Sequence, residues 1–383
     1  MNCFPSSSNT ATTGSCIVVG GGMSGVMVAN YLQKSGCQVT IVDRQNYLDW
    51  SPASARSLVS PDDIEKKDFT MPLGKIAEHL AAEFVHSAVS QVGEKSVTLE
   101  NGKVLEADCV VVSIGGQYAS GALWKATPEL TTKEKRIEAF RAEKKHLESA
   151  HSVVIAGAGL AGVEVAGEIK SAFSAKTVVL VGTLLASSTD VGREKVKKAL
   201  LGLGVILKDG RVEGEPVNGK VTTTKGETID ADIVYNAAGF VFAGSKLLNQ
   251  SLQANVTERG QLLCRPTLQL NGCDTVFATG DIVKVPEGKF ADTKGLMHGD
   301  ETAKVVAKNV LNFLSGDNLD EFKWSDKPLN SPSFTALGPG LAVGDMGMPK
   351  FLSGFEDWMC LKLKADDFFT SMKAKGFGKG KSW

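Results

Sequence analysis

Two short glycine-rich stretches combine residue types and spacing that suit binding of a nucleotide phosphate. The first is VVGGGMSG at 18–25, and the second is AGAGLAG at 156–162. In a strand-to-helix turn, the first glycine permits the tight bend, the second lets the backbone approach a pyrophosphate, and the third allows close helix packing. The phosphates then lie at the positive N-terminal end of the helix. Each stretch therefore predicts one dinucleotide site.

A strand must precede each turn and a helix must follow it, and both copies meet this condition. In the first unit, CIVV at 16–19 precedes the glycines and QVTIVD at 38–43 follows the helical stretch. In the second unit, SVVIA at 152–156 and KTVVLV at 176–181 hold the equivalent positions. Repetition of one βαβ unit predicts an α/β fold with two Rossmann-like dinucleotide-binding domains.

Acidic residues at two strand ends extend the first site. Asp43 ends the second strand of its unit, where a carboxylate can accept hydrogen bonds from a ribose hydroxyl pair. FATGD at 277–281 predicts a strand ending at Asp281, whose carboxylate can bind a ribityl hydroxyl of a flavin. A helix starting near Gly295 would stabilise negative charge on the reduced flavin ring. The residues predicted to bind this cofactor are Gly20, Gly21, Gly22, Ser24, Gly25, Asp43, Gly280 and Asp281.

The second turn, formed by Gly157, Gly159 and Gly162, lacks such an acid, because Gly182 holds the equivalent strand end. A 2′-phosphate would not be repelled there, but no arginine follows immediately to require one, so NADH and NADPH both stay open. Two separate sites suit a permanent flavin and a transient nicotinamide, whose rings must meet for hydride transfer. We therefore expect FAD as cofactor and NADH or NADPH as co-substrate.

Three further motifs, SARSLVS at 54–60, VVVSIGG at 110–116 and VFATGD at 276–281, complete a resemblance to a known family. The chain resembles the two-dinucleotide-binding-domain flavoproteins, also called pyridine nucleotide-disulfide oxidoreductase-like, from about Cys16 to Phe313. Within them it looks most like the apoptosis-inducing-factor-like group, which includes ferroptosis suppressor protein. The resemblance implies a discontinuous FAD domain with an inserted NAD(P)H domain and a small C-terminal region. The implied bounds are 14–120 and 237–322 for the FAD domain, 121–236 for the NAD(P)H domain and 323–383 for the C-terminal region.

The resemblance also implies roles for single residues. Arg56 would reach the FAD phosphates or the adenine side of FAD, and Val89 would contact adenine through its backbone. Glu164, on the helix that follows the second turn, would lie beside the stacked flavin and nicotinamide as the catalytic residue. Glu168 lies four residues later on the same helix face, and we expect it to bind a nearby cation. No metal site is predicted.

The electron acceptor is constrained by the absence of cysteine from residues 44–70. Disulfide reductases carry their cysteine pair on the helix next to the flavin, so a redox-active disulfide is not expected here. The acceptor would then meet the flavin directly as a quinone, a dye, oxygen or a redox protein, and the resemblance favours a quinone. Two alternatives stay open: an apoptosis-inducing-factor-like interaction or signalling protein that binds flavin, and a reductase of a protein electron carrier.

Charge and hydropathy bear on partners and location. A formal net charge of −1 argues against extensive nucleic-acid binding. No basic leader precedes Lys34, and no run of 18 uncharged apolar residues occurs, so we expect a cytoplasmic protein with no signal peptide and no transmembrane helix. Phe355, Trp358 and Met359 stand at helical spacing before a lysine-rich tail, which would suit peripheral contact with a membrane. The oligomeric state stays open.

Overall fold

A computed structural model describes residues 14–186, 188–290, 296–326, 333–346 and 353–370, so the predicted lysine-rich tail and Gly295 lie outside the described residues. The strands are β1 Ser15–Val19, β2 Gln38–Asp43, β3 Tyr47–Asp49, β4 Thr70–Pro72, β5 Glu83–His86, β6 Val89–Val92, β7 Ser96–Leu99, β8 Val104–Glu106, β9 Cys109–Val112, β10 Gln117–Tyr118, β11 Ser152–Ala156, β12 Thr177–Val181, β13 Ile206–Lys208, β14 Val212–Val217, β15 Lys220–Thr223, β16 Thr228–Asp230, β17 Ile233–Asn236, β18 Phe240–Val241, β19 Val276–Ala278, β20 Ser333–Gly338 and β21 Leu341–Asp345. The helices are α1 Met23–Lys34, α2 Ser54–Val59, α3 Asp63–Lys66, α4 Leu73–Leu80, α5 Lys133–Ser149, α6 Leu160–Ala172, α7 Asp190–Leu203, α8 Gly244–Leu247, α9 Leu296–Ser315 and α10 Ser353–Cys360. Short 3-10 helices cover Ser51–Ala53, Gln250–Asn255 and Gly280–Ile282, and a π-helix covers Leu361–Asp366.

The first large sheet has the strand order β19-β9-β1-β2-β5, and every pairing in it is parallel. All residues of β9 and β19 are buried, as expected for parallel strands that are covered on both faces. Helices α1 and α9 pack against each other beside this sheet. Because β19 comes far later in the chain than β9, the sheet draws on residues before and after the second βαβ unit.

The second large sheet repeats the pattern with the order β13-β12-β11-β17, again with parallel pairing. Two short crossing strands, β10 and β18, pair antiparallel where the chain passes between the two units. The predicted α/β fold with two Rossmann-like units is therefore confirmed.

The C-terminal hairpin of β20 and β21 packs on α6, the helix that follows the second glycine turn. Gly167 makes this approach possible, since a Cβ there would lie 2.7 Å from the Cα of Leu337. Beyond the hairpin, α10 and the π-helix continue along the same side. We call residues 361–370, the π-helix and the turn that ends it, the C-terminal strap.

Helix α5 is a surface helix with one buried face. The stretch 131–149 is rich in charge and reads as a solvated surface helix. In the structure Ile137, Phe140 and Leu147 are buried, and Arg136 is fully buried with its guanidinium 4.3 Å from the centre of the Phe140 ring. A buried arginine requires a carboxylate partner, which is Asp49 of β3.

Candidate cofactor and active site

The first glycine turn joins β1 to α1, and its glycines serve different needs. Gly20 has a φ of +106°, which favours glycine, and a Cβ there would lie 2.5 Å from the carbonyl oxygen of Ser113. A Cβ at Gly25 would collide with the carbonyl oxygen of Gly20. Gly22 is different, because a Cβ there would meet no atom within 4 Å. Folding therefore requires glycine at positions 20 and 25, whereas Gly22 keeps open the space in front of the helix.

That space is an open cavity of about 220 Å³ at the carboxyl ends of β1, β2, β9 and β19. Ligands of open parallel sheets bind at this edge. The predicted residues that line the cavity are Gly21, Gly22, Ser24, Asp43, Gly280 and Asp281. The structure thus brings together residues from three separate segments that the sequence assigned to one cofactor.

Asp43 connects the strand end to the glycine turn. Its carboxylate accepts hydrogen bonds from the backbone N–H of Gly21 at 2.5 Å and of Gln45 at 2.7 Å. Burial raises the pKa of Asp43 above its ordinary value, while the two backbone N–H groups oppose that rise. The carboxylate therefore holds the turn in shape, and its partly exposed side lies in the cavity lining where a ribose hydroxyl can reach it.

The opposite end of the cavity is formed by Gly280 and Asp281, which follow β19. The hydroxyl of Thr302 on α9 accepts the backbone N–H of Gly280 at 3.3 Å and lies 2.9 Å from the Thr279 hydroxyl. Gly299, in the first turns of α9, also lines the cavity. The N-terminal part of α9 is thus held against the Asp281 end, in the place where a helix was expected to stabilise negative charge.

The second glycine turn repeats the local geometry of the first between β11 and α6. Gly157 has a φ of +114°, a Cβ at Gly162 would collide with the Gly157 carbonyl oxygen, and a Cβ at Gly159 would meet no atom within 4 Å. The open space at Gly159 faces the N-terminus of α6. The same fit to a pyrophosphate therefore exists in the second unit.

The loop after β12, where a coenzyme ribose is expected, is held by internal hydrogen bonds. Arg193 of α7 donates to the carbonyl oxygens of Leu184 at 3.1 Å and Ser188 at 3.0 Å, and to the carboxylate of Asp190 at 2.6 Å. Thr189 caps α7 by accepting the backbone N–H of Gly192 at 2.9 Å. The Thr189 hydroxyl is therefore already engaged in this cap.

Glu164 and Glu168 lie one helical turn apart on α6, and each is buried against a different cation. Glu168, which is fully buried, accepts two hydrogen bonds from Arg56, at 2.6 and 2.9 Å. Glu164 lies 3.3 Å from the Nζ of Lys364 and accepts the backbone N–H of Ala336 at 3.3 Å. Burial raises the pKa of both glutamates above the ordinary value, and the paired cations oppose the rise.

Four residues predicted to bind FAD are not part of the cavity lining: Gly20 and Gly25, which shape the turn, and Arg56 and Val89. The guanidinium of Arg56 donates to Glu168 and lies 5.0 Å from the centre of the Phe368 ring. A buried guanidinium needs a carboxylate partner, and α6 supplies one. The predicted contact of Arg56 with FAD stays a prediction. Val89 begins β6 and pairs with Leu99 of β7, at the edge of the unit beyond β5. Its predicted contact with adenine stays a prediction.

The C-terminal strap contributes groups that no local sequence signal indicates. Lys364 donates a hydrogen bond to the carbonyl oxygen of Pro52 at 2.7 Å, and the indole N–H of Trp50 donates to the carbonyl oxygen of Phe368 at 2.6 Å. Trp50 and Pro52 both line the first cavity. Lys364 therefore bridges the wall of the first cavity and Glu164 on the helix of the second site.

The two sites also approach each other at Tyr118 of β10. Burial raises the pKa of Tyr118, and the carboxylates of Asp281 and Glu164 raise it further. One phenol thus lies within electrostatic reach of the far end of the first cavity and of the buried glutamate on α6.

Comparison with known proteins agrees with the geometry. The family model described as pyridine nucleotide-disulphide oxidoreductase matches residues 6–139 and 118–300. The chain belongs to this family. The cofactor prediction, FAD with NADH or NADPH as co-substrate, is confirmed at the level of the family, and the two glycine turns with their open faces fit it.

Proteins with similar sequences include an FAD-dependent oxidoreductase, FVFD30, of Flammulina velutipes. It is 30% identical over 274 residues, covering 69% of this chain and 82% of that protein. Apoptosis-inducing factor homolog A of Dictyostelium discoideum is 29% identical over 341 residues, covering 80% and 79% of the two chains. Human ferroptosis suppressor protein 1 is 25% identical over 320 residues, covering 80% and 83%.

Solved structures show the same fold at lower identity. Reduced Bacillus anthracis CoADR-RHD superposes with a TM-score of 0.67 at 18% identity, covering 90% of this chain and 63% of that one. This chain therefore spans less than two thirds of that protein. The sulfide:quinone oxidoreductase of Aquifex aeolicus superposes with a TM-score of 0.63 at 17% identity, covering 94% of each chain.

Proposed function

We propose that the protein is an FAD-dependent oxidoreductase that takes electrons from NADH or NADPH and passes them to a quinone-type acceptor without a redox-active disulfide. The observation that carries the proposal is the bridge made by Lys364 between Pro52 of the first cavity and Glu164 of the second site. FAD, when bound, accepts a hydride from the coenzyme and returns the electrons to the acceptor. The protein must bind both partners, orient them and exclude water.

Binding and orientation are the work of the two helix N-termini. Gly22 and Gly159 leave open space at the N-terminal ends of α1 and α6, where unpaired backbone N–H groups and the helix dipole favour a pyrophosphate. Asp43 and Asp281 both line the first cavity, and they follow β2 and β19, which are three places apart in the sheet. This order supports an extended dinucleotide that runs along the strand ends of the first sheet.

Glu164 is the residue that we assign to the nicotinamide. Glu164 is only 7% exposed. Its carboxylate lies between Lys364 and the backbone of Ala336, so its orientation is fixed before the coenzyme binds. An oriented carboxylate can accept a hydrogen bond from the carboxamide and fix the ring for transfer. Lys364 favours the ionised form of this buried group and opposes the rise in pKa that desolvation causes.

The proposed electron acceptor is argued from the residues next to the first cavity. Residues 44–70 contain no cysteine, and in α2 the buried Arg56 is directed to Glu168. Electrons would therefore leave FAD directly, and similarity to ferroptosis suppressor protein 1 supports a quinone as the acceptor. A redox protein, or a signalling role like that suggested by the apoptosis-inducing factor homologues, has no observation among the described residues that favours it.

Peripheral contact with a membrane is part of the proposal, because a lipid quinone must reach the protein from the bilayer. Phe355 and Trp358 of α10 are 49% and 55% exposed and stack with ring centres 5.8 Å apart. Among the described helices, none is long and apolar enough to cross a membrane. Phe355→Ser with Trp358→Ser should reduce co-sedimentation with anionic vesicles, and unchanged binding would count against this contact.

The test of the function uses anaerobic protein loaded with FAD. NADH or NADPH should bleach the flavin absorbance, and short-chain ubiquinone or menadione should restore it. Glu164→Gln should slow the bleaching at least about tenfold because the preset hydrogen-bond acceptor is weakened. Glu194→Gln, which changes an exposed glutamate of α7, is the matched control and should leave the rate unchanged.

The outcomes separate the parts of the proposal. Bleaching that quinones do not reverse would support electron transfer from the coenzyme to FAD and show that the proposed acceptor is wrong. Reversal by a protein carrier but not by quinones would favour the carrier reductase. Flavin that neither coenzyme bleaches would end the proposal as an enzyme.

A further inference from the structure

Lys125 lies at the mouth of the first cavity, in the segment between β10 and α5. Its Nζ is 3.8 Å from a carboxylate oxygen of Asp281 and 5.9 Å from the centre of the Phe240 ring. Lys125 and the adjacent Ala126 are both part of the cavity lining. The ammonium thus enters the cavity from a connecting segment and not from either glycine turn.

The charges around the cavity make this lysine distinctive. The lining contains the carboxylates of Asp43, Asp49 and Asp281, and among its described residues Lys125 is the only basic one. Asp43 accepts a hydrogen bond from the glycine turn, and Asp49 forms an ion pair with the fully buried Arg136. Lys125 is therefore the positive side chain that faces the ligand space itself.

The strand order shows which part of a dinucleotide lies nearest to Lys125. Asp43 follows β2, the glycine turn follows β1, and Asp281 follows β19, in a sheet ordered β19-β9-β1-β2-β5. With neighbouring strands about 4.8 Å apart, the β19 end lies about 10 Å from the glycine turn and about 14 Å from the β2 end. Since the pyrophosphate belongs at the glycine turn and the adenosine ribose at Asp43, Lys125 lies beside the ribityl and ring half of FAD.

We propose that Lys125 is a positioning residue that favours reduced over oxidised FAD, and thereby raises the reduction potential of the bound cofactor. Reduction at neutral pH adds two electrons and one proton, so the reduced ring carries one more negative charge than the oxidised ring. A cation at the same end of a partly desolvated cavity would stabilise that charge. Phe240 and Asp281 lie beside the ammonium at this end, and the side chain of Lys125 is 31% exposed. The inference rests on FAD binding within the proposed function.

The experiment measures the midpoint potential of bound FAD by equilibration with redox dyes, so that neither coenzyme nor quinone is needed. Lys125→Met should weaken the preference for the reduced state about tenfold, which for a two-electron couple lowers the potential by about 30 mV. Lys125→Arg keeps the charge and should stay close to the wild-type potential. Lys304→Met, which removes an exposed lysine of α9 paired with Asp300, is the control and should change nothing.

The dissociation constant of oxidised FAD, measured by flavin fluorescence, separates redox tuning from simple anchoring. We expect Lys125→Met to change it less than threefold. An unchanged potential in FAD-loaded Lys125→Met would overturn the inference, and so would a loss of oxidised-FAD affinity in both Lys125→Met and Lys125→Gln, because that result would make the lysine an anchor. A wild-type protein that takes up no FAD would overturn the proposed function together with this inference.

Discussion

Replacing Lys364 by methionine would leave Glu164 buried without its cation. The two side chains are 6% and 10% exposed and lie 3.3 Å apart. At an effective dielectric constant of about 20, two unit charges at that distance attract by about 5 kcal/mol. Removing one partner of a buried pair costs about 3–5 kcal/mol, because the other charge stays desolvated.

Proton uptake limits this loss. An ordinary glutamate with a pKa of about 4.3 can be neutralised at pH 7 for about 4 kcal/mol, at 1.36 kcal/mol per unit. Burial already raises the pKa of Glu164, so the cost of neutralising it is smaller. With the lost hydrogen bond to Pro52 worth about 1 kcal/mol, we expect Lys364→Met to lower the free energy of unfolding by about 2–4 kcal/mol at pH 7.

The pH dependence has a definite sign. Without Lys364 the pKa of Glu164 rises further, and the folded variant binds a proton more readily than the unfolded chain. The deficit relative to wild type should therefore be full above the variant's Glu164 pKa and shrink as the pH falls through it. Urea unfolding of FAD-loaded wild type and Lys364→Met, followed by tryptophan fluorescence, measures this deficit at pH 5 and at pH 8.

Two further variants test the reasoning. Lys362→Met removes a 54% exposed lysine two positions away, which pairs with Asp366, and should cost less than about 0.5 kcal/mol. Adding Glu164→Gln to Lys364→Met should recover part of the loss, because no buried charge then remains. A Lys364→Met variant no less stable than Lys362→Met, or a loss that Glu164→Gln does not reduce, would refute the assigned ion pair.

The remaining predictions concern the first glycine turn, the second buried ion pair and the electron count. Gly22→Ala should fold normally but bind FAD at least about tenfold more weakly, as seen by flavin fluorescence, whereas Gly25→Ala should not yield folded protein, since its Cβ collides with backbone. Wild-type FAD affinity in Gly22→Ala would contradict this assignment. Arg56→Met should lower the free energy of unfolding by about 3–5 kcal/mol in urea, because Glu168 is left buried and unpaired, and an unchanged urea midpoint would contradict the pair. Dithionite titration should consume about two electrons per FAD, because residues 44–70 contain no cysteine to form a disulfide, and about four would show that a redox disulfide exists.

Several features were predictable from the sequence because their cause is local. A glycine turn between a strand and a helix is required by backbone geometry within a few residues, and both turns are where their motifs predict them. Asp43 and Asp281 follow parallel strands whose order places both at one edge, so their shared cavity follows from topology. The helix that carries Glu164 and Glu168 follows from the same motif.

The contacts that the sequence did not reveal have a common physical origin. Arg56 pairs with Glu168, which lies 112 residues later in the chain. The charged stretch 131–149 reads as exposed, although Arg136 is fully buried because Asp49 pairs with it across 87 residues. A charged side chain is buried or exposed according to its partner, and no periodic pattern records which distant residue that will be.

The sequence by itself determined where phosphates can approach the backbone, because glycine is required there by steric exclusion between near neighbours. It also determined the repeat of one βαβ unit and the acids at two strand ends. Only the tertiary structure decided which charges meet: Lys364 with Glu164 and Pro52, Arg56 with Glu168, and Lys125 with Asp281. The physical reason is that local steric rules act within a few residues, whereas a buried charge is stable only beside an opposite charge that the fold brings to it from elsewhere in the chain.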